Sequence, residues 1–378
     1  MTSTDETGAD LSNWRDSPFN RWAFRNIDAL MPTAPIWAGS AWDLPEADPG
    51  ALDGFALKAG GQTLSLETVL AATATDGMVV LKDGRLVFET YANGLGAHDR
   101  HILMSATKSV VGLLVGVLVE QKVLDVAARV TDYLPEMKDG PYAGATLRQL
   151  LDMRTGVRLT VEQQHAYGLA SGWERLAPGE TTQGLQAFLA GLQGPPGEHG
   201  GPFAYVSANT DLMGWIIERA SGRAFSDLAS ELLWTPAGAE DDGAITLDVA
   251  GAPRTTGGIC ATVRDFARLG QRIVEGDPMV PPGWVEDIAT GGDTEAWRQG
   301  EFARAFGGMT MRYRSGWYVI DDAPQVLFAM GIHGQNLFVD RANRIVVAKV
   351  SSLHDAIDGR AIGLNHMMFN EVRRMLLS

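Results

Sequence analysis

Ser105-Ala106-Thr107-Lys108, followed at once by the apolar run Ser109 to Val119, sets a hydroxyl and an amine three residues apart at the start of a predicted helix. Side chains at that spacing are neighbours on one helix face. An amine kept neutral by burial takes the proton of the Ser105 hydroxyl as it attacks a carbonyl carbon. The helix start adds a positive dipole end and free backbone N–H groups, which favour the oxyanion that forms next. In a chain of 378 residues such a pair arises by chance on the order of once, and a capping serine beside a solvated lysine is its ordinary meaning. The apolar setting of Lys108 and two further motifs, in order along the chain, argue for chemistry.

The second motif, Tyr205-Val206-Ser207-Ala208-Asn209-Thr210, precedes the helical run Leu212 to Ile217. In an extended segment its phenol, hydroxyl and carboxamide point the same way. A phenol near a lysine amine loses its proton more readily and serves as general base or as proton shuttle to the leaving group. The competing account is a helix start capped by Asn209 or Thr210, with a tyrosine packed for area. The third motif, Gly331-Ile332-His333-Gly334-Gln335-Asn336, joins two predicted strands, and its glycines let a ligand approach the backbone. The Ile332 N–H is the expected second oxyanion donor, beside that of Ser105. His333 has no assignable acidic partner for a Ser-His triad, so it reads as a supporting wall or hydrogen-bonding residue.

The formal net charge of −15 and the absence of a basic run exclude a phosphate-tracking surface, and nucleic acid is not an expected partner. Val110 to Val119 is the longest uncharged apolar run, too short to span a bilayer. The acidic, polar start of the chain lacks the pattern of a secretory signal, and the single cysteine, Cys260, excludes a disulfide framework, so a cytoplasmic location is expected. Cys260 itself reads as a small buried hydrophobe rather than a reactive thiol. The 7 histidines show no metal-ligand spacing, and neither a dinucleotide fingerprint nor a phosphate loop is present. No metal and no cofactor are expected.

Residues 1–65, rich in Trp, Pro and Gly, read as an irregular wrapping segment. Val79 to Leu81 and Leu86 to Phe88, flanking Asp83-Gly84, predict a β-hairpin. Helical periodicity marks Leu147 to Leu151, Gly184 to Leu192, Leu212 to Ala220 and Val263 to Val274. Strand-like runs follow at Gly316 to Ile320, Gln325 to Gly331, Asn336 to Val339 and Ile345 to Val350, and an amphipathic helix covers Ala361 to Leu376. The expected fold is α+β, an antiparallel sheet built from both chain ends (66–104 and 260–378) and flanked by helices, with a mostly helical subdomain (105–259) inserted. The site would lie at the seam, where small ligands usually bind.

With these three motifs in this order, the chain resembles the serine β-lactamase and penicillin-recognising superfamily. It is most similar to its class C-like esterases and amidases, and among them to the 6-aminohexanoate-dimer hydrolases that cleave nylon oligomers. The resemblance is carried also by Ser171-Gly172-Trp173, Asp211, Gly257-Gly258, Arg264-Asp265 and Ala267-Arg268. It implies Ser105 as acylated nucleophile, Lys108 and Tyr205 as proton-transfer pair, the N–H groups of Ser105 and Ile332 as oxyanion hole, and Ser207, with Asn209 and Gly334, in support. The partner is then a small amide or ester, and a homodimer is one assembly open to it. Two departures bear on the substrate. Thr256 stands before Gly257-Gly258 where the dimer hydrolases typically have Asn, and the expected loop His165 to Ala170, just before Ser171-Gly172-Trp173, lacks the acid that receives an ammonium group in them. Poor or absent activity on the nylon dimer, with esterase activity on short acyl esters, is the expectation; Tyr167 and Trp173 are the candidate substrate contacts, with packing an equal account of Trp173. A β-lactamase or D,D-peptidase is the alternative within the superfamily, but its third motif normally opens Lys-Thr-Gly, where this chain has His333-Gly334-Gln335. A non-catalytic ligand binder on the same scaffold would typically have lost the serine, lysine or tyrosine.

Overall fold

Two β-branched runs on either side of Asp83-Gly84 fold as the hairpin β1 (Thr75–Lys82) and β2 (Arg85–Tyr91), turning through positive φ at both Asp83 (52°) and Gly84 (75°). That is the turn whose twist matches the strands it joins. The computed structural model describes residues 7–47, 50–276, 279–307, 309–322 and 324–378. Its last third supplies β3 (Met311–Arg314), β4 (Trp317–Ile320), β5 (Val326–Gly331), β6 (Gln335–Asp340) and β7 (Ile345–Ser351). β7 pairs antiparallel with β1, Val347 opposite Val80, so distant parts of the chain close one seven-stranded antiparallel sheet in the order β2-β1-β7-β6-β5-β4-β3.

Both faces of this sheet are covered, which is why β7 is buried along its whole length and opens with four consecutive apolar residues, Ile345 to Ala348, rather than an alternating pattern. The main helices are α1 (Thr107–Glu120), α2 (Val161–Ala170), α3 (Ala208–Ser221), α4 (Val263–Glu275) and α5 (Gly359–Leu376). α4 lies on one face, close enough that a Cβ on Gly270 would stand 2.7 Å from Val346. α5 covers the other face, its Phe369 stacked on Phe338 of β6 at 4.7 Å between centroids.

The sequence expectation needs correction in three places. Residues 1–65 are not wholly irregular: Thr33–Ile36 pairs with Gly243–Thr246 in a second sheet completed by Ile259–Ala261 and His101–Ile102, and Leu57–Ala59 pairs with Gln62–Leu64. A four-residue edge strand containing Pro35 finds its partner more than 200 residues away, so no local periodicity announces it. β3 was masked in the sequence by Arg312 and Arg314, whose charges are met by Asp321, Asp287 and Asp152. His165 to Ala170 is not a loop but the C-terminal half of α2, which starts with a capping box between Thr160 and Gln163.

α1 carries Lys108, and it is clamped to the sheet from below. Ser109 Oγ donates to Gly316 O at 2.7 Å, Trp317 Nε1 to Ser109 O at 3.1 Å, and Trp284 Nε1 to Gly112 O at 2.9 Å. Gly112 permits the approach, since a Cβ there would lie 1.8 Å from the Ser315 carbonyl oxygen. Gly112→Ala should therefore cost about 1–3 kcal/mol of stability, measured by chemical denaturation. Gly363→Ala, on the open face of α5 where a Cβ meets nothing within 4 Å, should instead be neutral or gain up to about 1 kcal/mol. Equal stabilities for the two variants would contradict this account of how α1 is held.

Candidate active site

Ser105 sits in a short 3-10 turn, Met104–Ala106, that leads directly into α1. The preceding residue, Met104, has φ +47°, a left-handed conformation that a side-chain-bearing residue adopts only under constraint. The turn brings Ser105 Oγ to 3.1 Å from Lys108 Nζ, which donates to it. The same amine donates to the carbonyl oxygen of Thr256 at 2.7 Å. Lys108 is buried, and burial pushes its amine down to about 7; the nearby Asp211 charge opposes that shift and Arg254 adds to it. An uncharged amine is thus available close to neutral pH.

Tyr205, partly exposed, hydrogen-bonds Ser105 through its hydroxyl, and Lys108 Nζ lies 4.9 Å from its ring centroid. Burial among Phe203 and Phe302 raises the Tyr205 hydroxyl well above its ordinary value, the bond to Ser105 opposing. The phenol therefore holds its proton more tightly than a free tyrosine does.

Thr256 contributes its backbone rather than its side chain. Its N–H donates to Asp211 Oδ1 at 2.8 Å, its C=O receives Lys108, and its buried hydroxyl has no partner among the described residues. Asp211, from α3, is the hub that sequence reasoning missed. It also accepts from the Tyr167 hydroxyl and from Arg254, both by short bonds, and all three side chains are buried. The signal was an acid one residue before Leu212 on the buried face of a helix, which demands a cation nearby. Arg254 lies 4.4 Å from the Tyr167 ring centroid and 5.0 Å from that of Trp173.

Two of the expected site residues are therefore committed elsewhere. Trp173 is buried against Trp14, with its indole N–H on Thr246 Oγ1 at 3.1 Å, and belongs to the packing. Asn209 is fully enclosed, accepting from Tyr142 and Thr155 at 3.0 and 3.2 Å, and neither caps the helix nor faces a cavity. Ser207 does face one: a cleft of about 470 Å³ lined also by Tyr205, Tyr167, Gln164, Arg158 and Glu301.

The third motif lies across from the Ser105 turn. Gly331 packs so closely that a Cβ would stand 2.6 Å from Leu103 O, and Gly334 has φ +95° with Ser351 and Leu353 pressed against it. Ser105, Tyr205, Gly331, Ile332 and Gly334 line one cavity of about 170 Å³. His333 turns away from it. Its Nδ1 is 2.8 Å from Leu353 O, its ring packs edge-on against Phe24, and burial lowers its pKa, so it is an uncharged wall and not a triad base. Cys260 is buried and its thiol is pushed up to about 12, which agrees with a packing role. A larger cleft of about 700 Å³, between Arg21, Asp53, Glu67 and Asp76, contains none of the candidate residues. His98, Glu240 and Asp241 cluster at the surface, where Arg264 and Arg268 answer the Glu240 charge.

Hydroxyl, uncharged amine and phenol meeting at the mouth of a cavity is the arrangement through which a serine hydrolase forms an acyl-enzyme, and this chain is an enzyme of that class. Residues 65–363 match the beta-lactamase family, to which the chain belongs. It is 33% identical, over 97% of its length and 94% of the relative's, to the 6-aminohexanoate-dimer hydrolase of Paenarthrobacter ureafaciens. A solved structure from Bacillus anthracis, described as a 6-aminohexanoate-dimer hydrolase, superposes with a TM-score of 0.86 over 99% of both chains at 23% identity. A D-stereospecific amidohydrolase from Streptomyces shares the fold at a TM-score of 0.59, 17% identity, and 77% and 94% coverage of this chain and of its own.

Because Lys108 must be uncharged to accept a proton, kcat/KM for a neutral ester should rise with pH through a single limb centred near 7. Asp211→Asn removes the charge that holds the lysine up and should move that limb to lower pH. A profile that is flat between about pH 5 and pH 9 would refute the assignment of Lys108 as the titrating group.

Proposed function

We propose that this protein hydrolyses small linear amides or carboxylic esters through an acyl-enzyme on Ser105. The observation that carries the reading is the 3.1 Å contact between Ser105 Oγ and the amine of a lysine that burial brings down to about 7. In acylation the Ser105 proton passes to Lys108 Nζ as Oγ bonds to the substrate carbonyl carbon. The resulting oxyanion faces the N–H groups of Ser105 and Ile332, the former at a helix start where no intrahelical acceptor exists. Tyr205, still protonated, gives its proton to the leaving nitrogen or oxygen as the C–N or C–O bond breaks, and recovers one from Lys108. Water then attacks the ester, its proton going to Lys108 and finally back to Ser105 Oγ, and the acid departs.

Tyr205 lines two cavities, one with Ser207 and one with Ser105 and Ile332, so a substrate has room on either side of the reaction centre. The relative from Paenarthrobacter supports linear amides as a class, and a location in the cytoplasm belongs to the same reading. Thr256 and the acid-free α2 set this chain apart from the pattern expected for efficient cleavage of the nylon dimer. A β-lactam carboxylate is less well served. The described residues lining the Ser105 cavity include no Lys, Arg or His, and His333 is uncharged and turned away. No helix among the described residues is long and apolar enough to cross a membrane.

A fluorophosphonate probe should add one adduct to the native protein by intact mass and none to Ser105→Ala. Short p-nitrophenyl esters should turn over, with a chromogenic cephalosporin far slower. Labelling that survives Ser105→Ala, or cephalosporin as the best substrate, would overturn the proposal.

A further inference from the structure

The turn that carries the Ile332 N–H is held in a shape its own residues disfavour. His333 and Gly334 follow one another at φ +61° and +95°, and for a histidine that is the left-handed region, kept only under constraint from outside. Ahead of the turn the sheet supplies the constraint, because Gly331 at the end of β5 pairs with Gln335 at the start of β6. After Ile332 the next peptide is tied at both ends: His333 N–H donates to Ala356 O at 2.9 Å, and the Ile332 carbonyl accepts from Gln335 Nε2 at 3.2 Å. Gln335 is fully buried and its carboxamide makes two further bonds, Nε2 donating to Ser351 O at 2.8 Å and Oε1 accepting from Ser351 N–H at 3.0 Å. Backbone pairing between β6 and β7 reaches only to Asn336 opposite Lys349, so past that point the Gln335 side chain serves Ser351 as a substitute strand. Both amide hydrogens and the oxygen are thereby used.

We propose that Gln335 is a positioning residue for the reaction, anchoring the Ile332 turn to β7 so that the Ile332 N–H stays aimed at the oxyanion formed over Ser105. The proposal rests on the acyl-enzyme reading above. The turn and the nucleophile abut directly, since a Cβ on Gly331 would stand 2.6 Å from Leu103 O and 3.0 Å from the Met104 side chain, so a shift on one side is felt on the other. Without the bond to Ile332 O, the His333-Gly334 pair is free to relax, and it turns the peptide after Ile332 and carries the Ile332 N–H off line. An oxyanion donor is worth most when fixed in advance, and misplacement by about an ångström forfeits much of its effect. Gln335 lines neither cavity, so it acts through Ile332 and not by touching substrate.

The test measures kcat and KM for p-nitrophenyl butyrate on the native protein, Gln335→Met, Gln335→Asn and Ser351→Ala, each rate divided by the sites a fluorophosphonate labels to completion. Inhibition by phenylboronic acid, which forms a tetrahedral adduct on a reactive serine, is measured alongside. Gln335→Met should lose roughly 10- to 100-fold in kcat per labelled site with KM within about twofold, and the boronic acid should weaken by a comparable factor. Gln335→Asn, one methylene too short to reach Ile332 O and Ser351 together, should fall in the same way. Ser351→Ala removes the hydroxyl that accepts from Lys349 but keeps the backbone groups that Gln335 holds, so it should be less stable to denaturant with kcat per labelled site within about twofold of native. A residue that merely joins two strands would lower the stability of the Gln335 variants and leave kcat per labelled site and boronic acid affinity intact. That result overturns the proposal, as does a rise in KM with kcat kept, an equal loss of kcat in Ser351→Ala, or failure of both Gln335 variants to fold. If native Ser105 is labelled and the ester turns over but the Gln335 variants keep full kcat, only this proposal fails. If native Ser105 is not labelled at all, the hydrolase reading fails and takes this one with it.

Discussion

The removal of one amine from water governs this site. Lysine ordinarily carries its charge far above neutral pH, and only desolvation on the scale seen at Lys108 brings it down to about 7. The native state therefore tolerates Lys108 best when it is uncharged. Between about 7 and the ordinary lysine value, the unfolded chain holds a proton that the folded one has released, so this group's penalty on stability fades as pH rises through that window. Below it the penalty is fully present. The chain accepts that cost because a neutral amine beside a hydroxyl is a base where a charged one would not be.

The rest of the scaffold keeps the amine dry and aimed. Thr256 C=O accepts a hydrogen bond from it, and Thr256 is itself fixed by Asp211, which Arg254 and Tyr167 pin in turn. From the other side α1 is locked to β4 through Ser109, Gly112 and Gly316, so the helix start cannot slide. Because β1 comes from before the site and β3 to β7 from after it, closure of the large sheet brings the Ile332 turn opposite Ser105. The strained Met104 is held where those two supports converge.

What was legible in the sequence is what is local. The Ser105 and Lys108 spacing, the Asp83-Gly84 hairpin, the strand runs from Trp317 onward and the terminal helix all depend on neighbours within a turn or two, and each is present. The misses are long-range. Thr33–Ile36 becomes a strand only beside Gly243–Thr246. Asp211 gains its meaning from Arg254, 43 positions away. The raised hydroxyl of Tyr205 could not be read at all, because it depends on how deeply the phenol is packed.

A second lysine sharpens what makes Ser105 special. Lys349 on β7 is fully buried, its amine is likewise pushed down to about 7 by desolvation, and it donates to the hydroxyl of Ser351 by a short bond. Hydroxyl and weakened amine are thus paired twice in this protein. Ser351, however, is also fully buried, with its backbone tied to Gln335 on both sides and Gly334 packed on its side chain. No carbonyl carbon can reach it. Ser105 is partly exposed, opens onto a cavity, and lies at a helix start with Ile332 across from it. Activation of a hydroxyl by a desolvated amine is therefore necessary but common enough to occur in a core. Access for the electrophile, and donors waiting for the charge that develops on it, are what convert the first pair into a reactive one.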